Sequence, residues 1–129
     1  MPGVRRSPQP QHTRFYEQGI IKSQEGNYAE SIKIFSQALD LRNDFAEAFH
    51  KRGIAYYRSG NAAAAVKDLN RAIELKPELS DAFYNRGVAK SKLGHGQSAI
   101  ADYGKAIELN PHYGQAYYRR GLAHRELGD

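Results

Sequence analysis

Apolar residues recur along this chain at intervals of three and four, and short polar segments interrupt them at regular distances. In residues 28–41, for example, Ile32, Phe35 and Leu39 fall on one face of a helix. Residues 62–75 and 96–109 have equivalent stripes. Another segment with a helical pattern precedes each of these three segments. The pattern predicts seven amphipathic helices, which we divide into first helices (12–25, 46–59, 80–93 and 114–127) and second helices (28–41, 62–75 and 96–109).

The predicted helices repeat with a fixed period of 34 residues. Two glycine series and one alanine series keep this spacing: Gly19, Gly53, Gly87 and Gly121; Gly26, Gly60, Gly94 and Gly128; and Ala38, Ala72 and Ala106. A constant period with two helices per unit is typical of a helical repeat array. We expect the first glycine series to let two helix backbones approach closely. The second series predicts the turn that follows each first helix.

These residues resemble the tetratricopeptide repeat (TPR) family, whose units pair two helices. The central unit matches the family pattern at Phe83, Gly87, Gly94, Ala99, Tyr103, Ala106 and Pro111. The resemblance implies an all-α, TPR-type helical-hairpin solenoid of about three and a half repeats, with a right-handed superhelical twist and a concave groove. It divides the chain into a tail at 1–11, repeats at 12–45, 46–79 and 80–113, and a half repeat or capping helix at 114–129.

Local signals predict how the helices begin and how the array ends. The tail is basic and rich in proline, so we expect it to be disordered. Asn27, Asn61 and Ser80 are predicted N-caps. Gly128 and Asp129 repeat the turn and cap that precede a second helix, although the chain stops there. We expect a fragment of a longer array; a natural truncation in which the last helix covers the stack is the alternative.

Composition and charge narrow the possible functions. The chain has no cysteine, which excludes disulfides and thiol catalysis. It has no apolar run of about 20 residues, as a membrane span requires, and no secretory signal, and we expect a cytoplasmic protein. The formal net charge is +5. The excess of positive charge lies on the first helices, which favours anionic partners.

No catalytic or metal-binding constellation is recognisable in the sequence. The five histidines fall at different positions of the repeat and form no paired-ligand spacing. Neither a nucleophile elbow nor a phosphate-binding glycine loop is present. We therefore expect a protein that is not an enzyme and that uses no cofactor or metal.

In a TPR stack the first helices line the concave surface, and the resemblance implies which side chains point into it. The position after each packing aromatic gives a column of Tyr16, His50, Tyr84 and Tyr118. Neighbouring positions add Lys51, Ile54, Tyr57, Arg58, Asn85, Val88 and Arg119 to the predicted peptide-binding groove. Packing between repeats is the alternative role of the column, and the two roles can coexist.

Two further columns are predicted to be structural. The packing aromatics are expected in the core: Phe15, Phe49, Phe83 and Tyr117. A column of arginines is expected to lie over neighbouring helices and to pair with acids of the second helices: Arg52, Arg86 and Arg120.

Some members of the family clamp the C-terminal carboxylate of cytosolic heat-shock chaperones with five side chains. On repeats two to four, this set matches only at Asn85 and Arg119. His50, Ile54 and Gln115 stand where the clamp has lysine, asparagine and lysine. A complete clamp is therefore not expected. A weaker capture of an acidic segment is compatible with the sequence and would use Lys51, Asn85, Arg119 and Arg58.

Several functions agree with these features. The leading one is a non-catalytic protein–protein interaction scaffold that binds an extended or acidic segment of a partner in the concave groove. The second is self-assembly through the end faces of the array. A co-chaperone domain with an incomplete carboxylate clamp is a third. Binding of nucleic acid through the basic helices ranks below these, and membrane insertion is not expected.

Overall fold

A computed structural model describes residues 8–128, and over that range the chain forms seven α-helices and no strand. The helices are α1 (Gln11–Gln24), α2 (Tyr28–Leu41), α3 (Ala46–Arg58), α4 (Ala62–Leu75), α5 (Ser80–Lys92), α6 (Gly96–Leu109) and α7 (Gly114–Glu126). Each helix packs against its neighbours in the sequence, so the chain is an all-α helical repeat solenoid, as predicted. Most of the predicted tail, residues 1–7, lies outside the described residues, and α1 begins one residue before its predicted start.

The two helices of a unit pack closely because the first helix has a glycine at their contact. A Cβ atom at Gly53 would lie 3.0 Å from Leu69 Cγ, and one at Gly87 would lie 2.7 Å from Tyr103 Cε1. The corresponding glycine of α1 makes the same close approach to α2. The prediction is confirmed for these three units. No atom lies within 4 Å of a Cβ built on Gly121, because no described helix covers this side of α7.

The second glycine series forms the turns that follow the first helices, as predicted. Gly26, Gly60 and Gly94 have φ angles of 78°, 96° and 84°, in the left-handed region that glycine adopts without strain. After α3, the Asn61 N–H donates to the Tyr56 carbonyl and satisfies one of the free acceptors at the helix end. Each second helix therefore starts at a fixed angle to its partner.

One of the three predicted N-caps is confirmed by a hydrogen bond. The Asn61 side chain accepts from the Ala64 backbone N–H at 3.1 Å. Asn27 occupies the N-cap position of α2, but its side chain makes no capping hydrogen bond. The prediction for Ser80 is wrong, because α5 begins at Ser80 itself and Leu79 stands at the cap.

Buried ion pairs join the two helices of a unit and reach the preceding unit. Arg52 donates to both carboxylate oxygens of Asp68 at 2.8 Å and also to a serine of α2. Arg86 repeats the arrangement with Asp102, at 2.9 and 2.7 Å. Both aspartates are buried and need a cationic partner; Asp102 is also paired with Lys90, at 3.1 Å. The predicted pairing is confirmed at these two positions, whereas no described acid pairs with Arg120.

The first-helix aromatics are less uniformly buried than predicted. Phe83 is 8% exposed and packs against alanines of α6 and α7. Phe15 and Phe49 are half-buried. Tyr117 is 45% exposed, so its prediction as a core residue is wrong. The physical reason is that no helix within residues 8–128 covers the side of α7 on which it lies.

We predict opposite effects of alanine at two glycines of the same column. Gly87→Ala places a methyl group against the Tyr103 ring and lowers the free energy of unfolding by about 1–3 kcal/mol. Gly121→Ala meets no atom and raises it by about 0.5–1 kcal/mol, because alanine is the better helix former. Urea denaturation followed by circular dichroism measures both values. Destabilisation of the same size in the two variants would contradict the close-approach account.

Candidate functional site

A cavity of about 380 Å³ opens across α3, α5 and α7, the first helices of three consecutive units, and we call it the central groove. Nine of the eleven predicted site residues line it: His50, Lys51, Ile54, Tyr57, Arg58, Tyr84, Asn85, Val88 and Arg119. On α3 these residues are spaced by three and four, which puts them on one helix face. The helical period places the residues of one helix on the same face, and the 34-residue repeat brings that face of three helices into one cavity.

Tyr16 and Tyr118 lie outside the lining of the central groove. Tyr16 packs against Phe35 and Phe45, with ring centroids 6.0 and 4.9 Å apart, so it contributes to packing between units. Tyr118 is 68% exposed. The predicted column therefore contains one packing residue, two groove residues and one surface residue.

His50 forms the polar floor of the central groove. It is buried, and its Nε2 atom lies 3.2 Å from Nδ2 of Asn85 on the neighbouring helix. Burial, reinforced by the positive charge of Lys51, lowers the pKa of His50 to about 4. The imidazole is therefore neutral near pH 7, and its Nε2 accepts the hydrogen bond from the Asn85 amide.

Stacked tyrosines form one wall of the central groove. The Tyr84 ring stacks on Tyr113 with centroids 5.0 Å apart, and it packs on Tyr103 at 5.9 Å. Burial, together with a hydrogen bond to the Asp81 carboxylate, raises the pKa of the Tyr113 hydroxyl. Arg119 makes a hydrogen bond with Tyr84. These contacts fix the wall in the unliganded protein, which reduces the entropy lost on binding.

The central groove has an excess of positive charge. Lys51, Arg58 and Arg119 line it, and Asp81 is the one carboxylate among its lining residues. Within residues 8–128 none of the three cations forms a salt bridge, whereas Arg52 on the opposite side of α3 is paired. The groove thus presents cations without an acidic partner among the described residues, which suit carboxylates and other anions.

Five further residues line the central groove and were not in the predicted site: Gly53, Leu69, Asp81, Tyr113 and Gln115. Tyr113 precedes α7 at the position that Phe45 and Leu79 hold before α3 and α5. This 34-residue spacing was the available signal that the segment between units is part of the repeat. Asp81 lies in the first turn of α5, close enough to hydrogen-bond the tyrosine.

Neither a metal site nor a membrane span is apparent in the part of the chain that the structure describes. No group of three histidine or acidic side chains between residues 8 and 128 is arranged to hold a metal ion. In the same range, every helix is too short or too polar to cross a bilayer.

Comparisons with known proteins agree with the observed repeat. A family model described as TPR repeat matches residues 21–60 and 55–94, and one described as Tetratricopeptide repeat matches residues 80–113. No match was found among curated protein sequences.

Several solved structures resemble the chain over most of its length. The first TPR of Spaghetti (RPAP3), bound to the HSP90 peptide SRMEEVD, is 25% identical with a TM-score of 0.91, over 98% of this chain and 100% of that one. The second TPR domain of human RPAP3, in complex with the HSP70 peptide SGPTIEEVD, is 26% identical with a TM-score of 0.85, over 88% and 94%. MamA is 28% identical with a TM-score of 0.88, over 91% and 68%. Because the family models together match residues 21–113, this chain belongs to the tetratricopeptide repeat family.

Proposed function

We propose that the chain is a non-catalytic interaction module that binds an extended acidic segment of a partner protein in the central groove. The observation that supports this most strongly is the charge of the groove. Three cations without a salt-bridge partner line it beside a single carboxylate. An acidic ligand can pair with these cations without displacing an existing ion pair.

The apolar and aromatic lining supports an extended peptide as the ligand. Tyr57 and Tyr84 offer large, rigid surfaces with a polar end, and few side-chain rotamers are lost when they bind. Ile54 and Val88 add apolar surface to the lining. A segment that alternates acidic and apolar side chains satisfies both kinds of surface.

The peptides bound by related domains support the same ligand chemistry. SRMEEVD and SGPTIEEVD, the peptides in complex with the two RPAP3 domains, are both acidic towards their C-terminal ends. The groove of this chain differs from a carboxylate clamp at two positions. Neutral His50 stands where the clamp has a lysine, and apolar Ile54 stands where it has an asparagine. We therefore propose that the side-chain carboxylates of the ligand, more than its terminal carboxylate, supply its affinity.

Reversing one charge of the central groove is expected to weaken the binding of an acidic peptide strongly. Arg119→Glu should raise the Kd of fluorescein-labelled SRMEEVD about tenfold or more, equivalent to about 1.4 kcal/mol, because it replaces an attraction by a repulsion. Arg125→Glu is the matched control, since Arg125 is exposed on the same helix and does not line the groove. Fluorescence polarisation at fixed ionic strength measures both. Equal weakening by the two variants would contradict a groove site.

The terminal carboxylate of the ligand is expected to contribute little. Amidation of SRMEEVD should change its Kd less than about threefold, whereas glutamine at both glutamate positions should raise it about tenfold. The reason is that neither His50 nor Ile54 offers a charge to a terminal carboxylate. Titrations of the three peptides against the same protein sample give the comparison. A larger loss of affinity from amidation than from the glutamine changes would show that the groove binds mainly the terminal carboxylate of the peptide.

Binding of the acidic peptide is expected to be nearly independent of pH between 7.5 and 5.5. A histidine with the ordinary pKa of about 6.5 would gain a positive charge in this range and strengthen binding. His50, with a pKa of about 4, stays neutral throughout it. The Kd should therefore change less than about twofold by fluorescence polarisation. A severalfold gain at pH 5.5 that disappears in His50→Gln would show that this side chain titrates at its ordinary pKa.

A further inference from the structure

The central groove contains one carboxylate that its own cations do not neutralise. Asp81, in the first turn of α5, lines the groove together with Lys51, Arg58 and Arg119. Asp81 is exposed, and within residues 8–128 it forms no salt bridge with these three cations or with any other. The groove therefore offers a ligand one negative charge as well as three positive ones.

Two stacked tyrosines hold this carboxylate in place. The Tyr113 hydroxyl donates a hydrogen bond to Asp81, and the Tyr113 ring stacks on Tyr84 with centroids 5.0 Å apart. The Tyr84 hydroxyl in turn accepts a hydrogen bond from Arg119. One negative and one positive group are thus attached to the same pair of rings, which keeps each at its own place in the groove.

Other acids beside the first helices are already paired within the fold. Asp68 and Asp102 are buried and bound by arginines. Glu47 on α3 binds a lysine at the end of α4 at 2.9 Å. A carboxylate can accept about four hydrogen bonds, and the bond from Tyr113 uses one of them. Asp81 therefore differs from these three acids, because it retains acceptor capacity and charge at the surface of the groove.

An unpaired carboxylate in the groove affects which ligands can bind there. A purely acidic segment would leave Asp81 facing like charges in a site from which the ligand excludes water, and this costs affinity. A lysine or arginine of the ligand removes this cost and adds a charge-assisted hydrogen bond. A repulsive element of this kind discriminates between ligands that the cations alone would treat as equal.

We propose that Asp81 is a specificity-determining residue of the central groove, which selects acidic segments that also carry one basic residue. The acidic side chains of such a segment pair with Lys51, Arg58 and Arg119, and its basic side chain pairs with Asp81. This inference rests on the proposed function, because it concerns the ligand of the same groove.

A lysine scan of an acidic peptide tests the pairing. The reference is SRMEEVD with glutamine in place of its arginine, labelled with fluorescein at the N-terminus so that no terminal amine competes. Four variants of the reference carry one lysine at each non-acidic position in turn. We expect at least one of them to bind the wild-type chain about fivefold or more tightly than the reference in fluorescence polarisation. Because an added positive charge otherwise weakens binding to a cationic groove, a gain indicates a carboxylate partner.

An isosteric variant separates the charge of Asp81 from its structural role. Asp81→Asn keeps an acceptor for the Tyr113 hydroxyl and removes only the charge. It should abolish the gain from lysine, and it should strengthen binding of the reference peptide about twofold or more because a repulsion is lost. Glu78→Gln is the matched control, since Glu78 is exposed three residues earlier and does not line the groove. Both affinities should stay unchanged in this control.

The outcomes distinguish this inference from the proposed function. Saturable binding without a gain from any lysine would overturn the role of Asp81 and leave the groove as a site for acidic segments. A gain that survives in Asp81→Asn, or that disappears in Glu78→Gln, would overturn it in the same way. Absence of saturable binding of every peptide at about 1 mM would overturn the proposed function, and this inference with it.

Discussion

The close approach of two helices at a glycine is the contact on which the architecture depends. Where Gly53 and Gly87 meet Leu69 and Tyr103, a Cβ atom would overlap the facing side chain or press against it. The short distance fixes how each second helix lies on its first helix, and the left-handed glycine turns fix where it starts. Because every complete unit has the same geometry, successive first helices stand side by side. The central groove is a consequence of this alignment.

Charge is distributed so that the two sides of the first helices have different roles. On the side of the second helices, Arg52 and Arg86 are held by buried aspartates and stabilise the stack. On the groove side, Lys51, Arg58 and Arg119 have no acidic partner within the described residues. Lys51 and Arg52, which are adjacent in the sequence, thus have different roles, because successive residues of a helix point about 100° apart.

The sequence predicted the fold well because the repeat supplies several copies of each signal. The apolar pattern predicted the helices, the glycine spacing predicted the turns and the close contacts, and nine of the residues that the family resemblance implied for the groove line one cavity. Features that depend on neighbours were not predictable from one position. Tyr117 has the chemistry of a core residue but no covering helix, and Tyr16 meets Phe45 from the segment between units. Tyr113 was missed although its 34-residue spacing from Leu79 and Phe45 is visible in the sequence.

Mapping the bound ligand by amide NMR tests the central claim most directly. Titration of the isotope-labelled chain with the peptide SRMEEVD should shift the amide resonances of groove residues on three helices, including Lys51, Asn85 and Arg119. The resonances of Asp68 and Asp102, on the other side of the first helices, should stay in place. That result would place an acidic segment in the central groove. Shifts confined to α4 and α6, or no saturable shift in any residue, would contradict the account.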